Sequence, residues 1–193
     1  MSTIIRSERA SDVEAREALL DEAFGEARTR KASERLREGR LPAEGLSFIA
    51  AEGKRVIGTA RLWEIACGAG KPALLLGPVA VAEDCRSRGI GAVLVRRALR
   101  EARKLGHRAV VLVGDASYYG RFGFSAEQTG ALWMPGPFER HRLLALELKP
   151  GALAGAHGLI AATGRPEPLP DLVALVAQDR RALRPRRQRT RAA

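Results

Sequence analysis

The stretch 85-CRSRGIGAVLVRRAL-99 sets Gly89 and Gly91 two positions apart at the start of a helical pattern, with Arg86 and Arg88 just before them. A helix start leaves backbone N–H groups without partners and carries roughly half a positive charge from its aligned peptide dipoles. Glycine lets that backbone approach a ligand closely and adopt φ values that side chains oppose. Arg86, Ser87, Arg88, Gly89, Ile90 and Gly91 therefore read as a nest of donors suited to a phosphate or pyrophosphate. A second reactive set is Tyr118 and Tyr119, adjacent on a short helical turn, whose phenols can donate a proton. Glu64, beside Trp63 near a strand end, and Glu83 are the carboxylates available as a base, with a solvated strand-end glutamate as the alternative reading.

Two phosphate loops are excluded. A Walker A loop needs Gly-x4-Gly-Lys-Ser/Thr, which is absent, and the dinucleotide fingerprint needs a third glycine where Leu94 stands. A plain strand-to-helix turn with glycines for close packing stays open on the turn alone. The preceding run, ALLLGPVAV (73–81), narrows the choice. It is apolar enough for burial on both faces, yet Gly77-Pro78 interrupts it. Proline cannot donate to a ladder and glycine weakens pairing, so the pair predicts a bulge or separation from a neighbouring strand. Unpaired amides there suit an extended ligand that carries amides of its own behind a pyrophosphate, and coenzyme A has that layout.

The elements around these residues follow from pattern. Residues 3–8 read as a strand; Ser11 and Glu14 have capping-box spacing for a helix through Val13, Leu19, Leu20, Ala23 and Phe24, closed by Gly25. Residues 26–38 read as a second, highly charged helix on the surface. Two strand-like runs flank Glu52-Gly53-Lys54, a hairpin signal. The helix after the glycine turn spans about 89–105, and AVVLVG (109–114) is a buried strand, which makes 74–114 a crossover between parallel neighbours. A helical turn at 116–121, with Asp115 as its cap, precedes strand-like segments at 124–128 and 142–148. Residues 150–166 read as irregular and 170–183 as a short amphipathic helix. Trp133, Met134 and Phe138 either line an acceptor pocket or seal a sheet edge.

Composition sets the class. At 193 residues, 46% hydrophobic, the chain suits one substantial core. Two cysteines, Cys67 and Cys85, give no disulfide framework; with no signal-like apolar segment and no run long enough to span a bilayer, a cytoplasmic protein without membrane partners is expected. The net charge of +11 resides largely in residues 180–193, whose seven arginines, once removed, leave 26 basic against 22 acidic side chains. That tail reads as a disordered, solubilising end, and nucleic acid is expected only through non-specific attraction to it. The scattered histidines and cysteines predict no metal site.

With these motifs in hand, the chain resembles the GCN5-related N-acetyltransferases, the GNAT superfamily. The pattern V79-A-V-x4-R86-x-x-G89-x-G91-A92 resembles its acyl-CoA signature, and 115-DASYYGRFGF-124 resembles its later motif, a tyrosine on a short helix before a Gly-Phe turn. LLLGPVAV and YYGRFGF together are similar to a small bacterial branch. The resemblance covers about residues 3–148. It implies an α/β (α+β) fold with a mixed, mostly antiparallel sheet splayed between its central strands and helices on both faces. Together with composition it divides the chain into an acetyltransferase domain at 1–149, an irregular extension at 150–179 packed on or near that domain, and the disordered Arg-rich tail at 180–193. It further implies that Val79, Ala80 and Val81 hold the pantetheine arm of acetyl-CoA, that the amides of Arg86, Ser87, Arg88, Gly89, Ile90, Gly91 and Ala92 hold the pyrophosphate, and that Tyr119 protonates the leaving thiolate. The Val81 N–H would polarise the thioester carbonyl, and Glu64 is the first candidate base. Tyr119 as a core aromatic stays open beside this. The acceptor would be a small-molecule or peptide amine, and a homodimer stays open. A non-catalytic acyl-CoA sensor or an RNA-associated protein is the alternative.

Overall fold

The computed structural model describes residues 2–168; the helix expected at 170–183 and the basic tail lie outside them. In chain order the strands are β1 (Ile4–Ser7), β2 (Ser47–Glu52), β3 (Arg55–Cys67), β4 (Pro72–Val81), β5 (Ala109–Val113), β6 (Leu132–Trp133), β7 (Leu143–Glu147) and β8 (Gly158–Ala162). The helices are α1 (Val13–Phe24), α2 (Ile90–Lys104) and α3 (Ala116–Tyr119). The main path runs β1-β2-β3-β4-β5-β7, and every pairing in it is antiparallel except β4 with β5. That one parallel step is the crossover expected through α2.

Alternation along β3 assigns the two faces. Gly58, Ala60 and Leu62 face α2, so closely that a Cβ on Gly58 would lie 3.0 Å from a Leu94 methyl. The apolar stripe of α2, Leu94, Val95, Ala98 and Ala102, is fully buried against that face. On the opposite face, Arg61 enters an ion-pair group with Glu8 of the loop after β1 and Arg16 of α1. Helices thus cover both faces. Trp63, Ile65 and Cys67 continue the α1 face into a second apolar cluster with Leu75, Val111, Leu143 and Ile160.

Several expectations are corrected. Residues 26–38 form no α-helix but two 3-10 turns, Glu26–Arg30 and Glu34–Leu36; Ala32 and Leu36 are buried, too few to anchor a longer helix. At the start of α1 the Ser11–Glu14 box is not made. Asp12 instead accepts the Arg9 N–H at 2.7 Å and a two-pronged Arg6 contact at 2.6 and 2.8 Å, which hold its carboxyl at about 2. Residues 124–128 give a single bridge, Ser125 to Ala145, rather than a strand. The extension is not irregular throughout. β8 pairs with Ile65–Cys67 where β3 outruns β2, and Ala152, Leu153, Ala156 and Ile160 are buried with it. Among the described residues no helix is long and apolar enough to cross a membrane.

Because Leu94 joins α2 to the sheet with no solvent exposure, Leu94→Ala is expected to reduce the unfolding free energy by about 2–5 kcal/mol, read from urea denaturation.

Candidate active site

β4 has two different sides. Toward β3 it is paired along both halves, Ala73–Leu76 with Leu62–Ile65 and Val79–Val81 with Gly58–Ala60, with a register shift between. Toward β5 the pairing is confined to Leu74 with Val110 and Leu75 with Val111. The break coincides with Gly77, at φ +133°, and a cis Gly77–Pro78 peptide. The buried Trp63 indole N–H donates to the Gly77 carbonyl at 2.7 Å, which pins the kink from β3.

Hydrogen-bond alternation then fixes which groups face the gap. The Ala82 N–H donates to the Ile57 carbonyl, so Ala82 and Ile57 form a hydrogen-bonded pair, and two residues on Ala80 and Thr59 do likewise. Val79 and Val81 lie at the intervening positions, and their N–H and C=O groups point away from β3 into the space β5 has vacated. Ala80, expected to share in holding a ligand, turns its backbone to β3 instead.

The strand leads through a 3-10 turn (Glu83–Cys85) to α2. Ser87, at φ +64°, is the one described non-glycine residue with positive φ, and Gly89 follows at +77° as the N-cap. Side chains rarely adopt this conformation without a compensating purpose. Among the described residues no side chain caps this helix start, and no acid occupies its first turn, so the N–H groups of Ile90, Gly91 and Ala92 are left to another acceptor. Arg86 is exposed, 4.0 Å from Glu83. Arg88 is occupied: its guanidinium pairs with Glu52 and reaches Cys85 Sγ at 3.2 Å and Thr3 Oγ1 at 3.3 Å, which ties the turn to the β2–β3 hairpin.

The two tyrosines separate. A Cβ on Gly91 would lie 3.0 Å from the Tyr118 hydroxyl, so Tyr118 stands over the start of α2. Tyr119 crosses it edge-on, 5.0 Å between ring centres, and lies against Gly114, where a Cβ would come within 2.4 Å of its ring. Tyr119 thereby lines a cleft in the β4–β5 gap with Leu76, Gly77, Pro78, Val79 and Arg142. Burial pushes its phenol up to about 12. Asp115 accepts the Ser117 N–H at 2.7 Å, as expected of the cap, and hydrogen bonding from the Ser117 side chain and N–H holds its carboxyl below the usual range.

The structure does not bring Glu64 to this cleft. β3 runs on to Cys67, so Glu64 lies inside the strand opposite Leu74, in its fully paired half. Alternation aims it toward the C-terminal end of α2, into a separate cavity with His107, Arg108 and Thr163. Glu83, the second candidate, stands with Arg86 at the outer end of β4. The carboxylates that do line the cleft are Glu34 and Asp115. Sequence reasoning missed Glu34 and its partner Arg37, because a charged segment reads as solvent-facing; buried Ala32 and Leu36 were the signal that it turns inward. Phe138 lines an adjoining cavity, Met134 is buried in the second cluster, and Trp133 is exposed, packed edge-on to Phe138 with Arg140 over its ring.

A parallel pair opened at one kink, followed by an uncapped glycine helix start, is the architecture of an acyl-CoA-dependent transferase. Residues 13–124 match the acetyltransferase (GNAT) family, and the chain belongs to that family. Among solved structures it is similar to the GNAT family N-acetyltransferase YhbS of Escherichia coli in complex with CoA, at 29% identity over 83% of this chain and 89% of that one, TM-score 0.70. It is also similar to a GNAT family acetyltransferase of Brucella melitensis in complex with acetyl-CoA, at 28% identity over 84% and 96%, TM-score 0.64. No curated protein matches the chain at a significant level.

The contact between Gly114 and the Tyr119 ring yields a direct test. Gly114→Ala is expected to destabilise the fold by about 1–3 kcal/mol, since the added methyl overpacks the ring. In a Tyr119→Ala background the same change is expected to cost much less, a coupling read from denaturation of the four proteins in a double-mutant cycle.

Proposed function

We propose that the protein transfers the acetyl group of acetyl-CoA directly to a primary amine of a small molecule or peptide. The observation that carries this is the open edge of β4 from Gly77 to Val81, running continuously into the uncapped start of α2. Along that line the pyrophosphate of acetyl-CoA would take the N–H groups of Ser87 to Ala92, with Arg86 beside them, and the pantetheine amides would pair with Val79 and Val81 as a substitute for the missing neighbouring strand.

The cleft that holds Tyr119 includes Val79 and not Val81. The reacting thioester therefore belongs at Gly77–Val79, and the Val79 N–H, rather than that of Val81, is the donor suited to polarise its carbonyl. The neutral amine attacks the carbonyl carbon; as the new C–N bond forms, the C–S bond breaks and its electrons go to sulfur. Tyr119 supplies the proton that the thiolate takes up. The attacking nitrogen sheds its own proton to water in the cleft, with Glu34 and Asp115 the carboxylates in reach of that water. Holding both reactants in one cleft removes the entropy of encounter, worth several kcal/mol on its own.

Tyr119→Phe is expected to lower turnover about 10²- to 10⁴-fold, with the Kd for CoA changed by less than about threefold, measured by thiol release and by calorimetry. A fall in CoA affinity that matches the fall in turnover would instead mark Tyr119 as a binding residue.

The pH profile follows from its environment. The buried phenol keeps its proton up to about 12, so the acid form is retained throughout the working range. Turnover at saturating amine is expected to show no falling limb between about pH 8 and 10, whereas a decline centred near an ordinary tyrosine, about 10, would show that burial does not hold the proton on Tyr119, and a Tyr119→Phe protein with undiminished turnover would remove it from the acid role.

A further inference from the structure

Among the described residues four cations, Arg28, Lys31, Arg37 and Arg142, line the Tyr119 cleft, against two carboxylates, Glu34 and Asp115. Both carboxylates are engaged: Glu34 pairs with Arg37 at 2.7 Å and Asp115 caps the Ser117 N–H. Of the cations, Arg28 is satisfied by Glu17 at 2.6 Å and Asp21 at 2.7 Å, and Lys31 lies 4.8 Å over the Phe24 ring.

Among the described residues, Arg37 keeps an unpartnered donor and Arg142 has no close ion pair. Arg37 is nine-tenths buried; among the described residues its Nε has no hydrogen-bond partner, and besides Glu34 its guanidinium makes a long 3.4 Å bond to Ser33 Oγ. A guanidinium carries five donors, and leaving even one of them, here the Nε, unused in a low-dielectric site is costly. Its Nη1 sits 4.0 Å from the position of a Gly77 Cβ, at the kink itself. Arg142 faces the same cleft beside Tyr119, its side chain 44% exposed; among the described residues its ion-pair contact is a 4.0 Å approach to Glu139, and its charge also helps hold the Asp115 carboxyl low. Residues 86–92 are not part of this lining, so these cations are surplus to any pyrophosphate held at the start of α2.

We propose that the acceptor amine carries an anionic group of its own, a carboxylate or a phosphate, which Arg37 and Arg142 bind while the amine faces the thioester at Gly77–Val79. This rests on the acetyl-transfer reading and adds the substrate class to it. Planar guanidinium groups suit such oxyanions, which they can grip with two parallel N–H bonds. The same net positive charge disfavours polycationic acceptors. Lys31, Ser33, Val113 and Arg142 also line the adjoining cavity with Pro137 and Phe138, which leaves room for the rest of a larger acceptor beyond the anion.

The test uses matched amines with acetyl-CoA: α-amino acids against their amides for the carboxylate, and phosphoethanolamine against ethanolamine for the phosphate. The anionic member of at least one pair is expected to have a kcat/KM at least tenfold the higher, and the better pair identifies the oxyanion. Arg142→Gln, an exposed change that spares the core, is expected to raise KM for that anion about 10- to 100-fold. The ratio of kcat/KM for the anionic member to that for its neutral partner should fall by the same factor, a comparison made within the one variant, and the Kd for CoA should stay within about threefold. Arg37→Lys, which keeps the charge but not the fork, is expected to move KM the same way. Equal or better turnover of the neutral amines, or an anion KM unmoved by both variants, overturns the proposal while acetyl transfer stands. No thiol release with any amine, although acetyl-CoA binds, overturns the acetyl-transfer reading and this proposal with it.

Discussion

Everything at the site depends on one discontinuity in main-chain hydrogen bonding. β4 is bonded to β3 along both halves but to β5 through two residues only, and the bonding stops at Gly77. Buried backbone groups without partners are costly, and a sheet interior rarely tolerates them. Here the opening is maintained from the other side: Gly77 and Pro78 of β4 bulge opposite the single Arg61 of β3, pairing resumes at Val79, and the Trp63 indole holds the Gly77 carbonyl. The gap is therefore a fixed property of the fold, bordered by donors and acceptors that a ligand of matching spacing can use.

The remaining features follow from that gap. With β5 diverging, the chain after it is free to turn inward at Asp115 and lay Tyr119 against Gly114, at the bottom of the opening. Beyond Val81 the same strand delivers the strained Ser87 and the uncapped start of α2, so a donor-lined path extends from the cleft to the helix terminus. The 3-10 turns after α1 close the cleft from the α1 face and bring a cationic wall that neither α2 nor the sheet supplies. In the proposed reaction, one end of the path would hold the charged donor and the other would orient the acceptor.

The sequence carried these features unevenly. Gly77-Pro78 and Gly89-x-Gly91 were legible because proline and glycine act through the backbone alone, whatever surrounds them. The crossover through α2 was legible because its apolar stripe has the helical period. The Val79–Ala80–Val81 distinction was not, because it depends on the register with β3, which only pairing across Ala82 and Ile57 determines. Glu64 was misplaced for a related reason: a strand running to Cys67 puts it inside the ladder, facing away from the gap. Arg37 and Glu34 were hidden because charge density at 26–38 outweighed two buried apolar residues. β8 was hidden because five residues among glycines and alanines give too short a pattern, and its pairing with β3 is tertiary.

The most direct measurement is amide hydrogen exchange resolved at Val79, Ala80 and Val81, with and without CoA. Val79 and Val81, facing the gap, are expected to exchange readily in the free protein and to slow at least tenfold on saturation, while Ala80, already bonded to β3, stays slow in both. Equal protection of all three without ligand, or no slowing at Val79 and Val81 when CoA is bound, would contradict the claim that this open edge is where the donor binds.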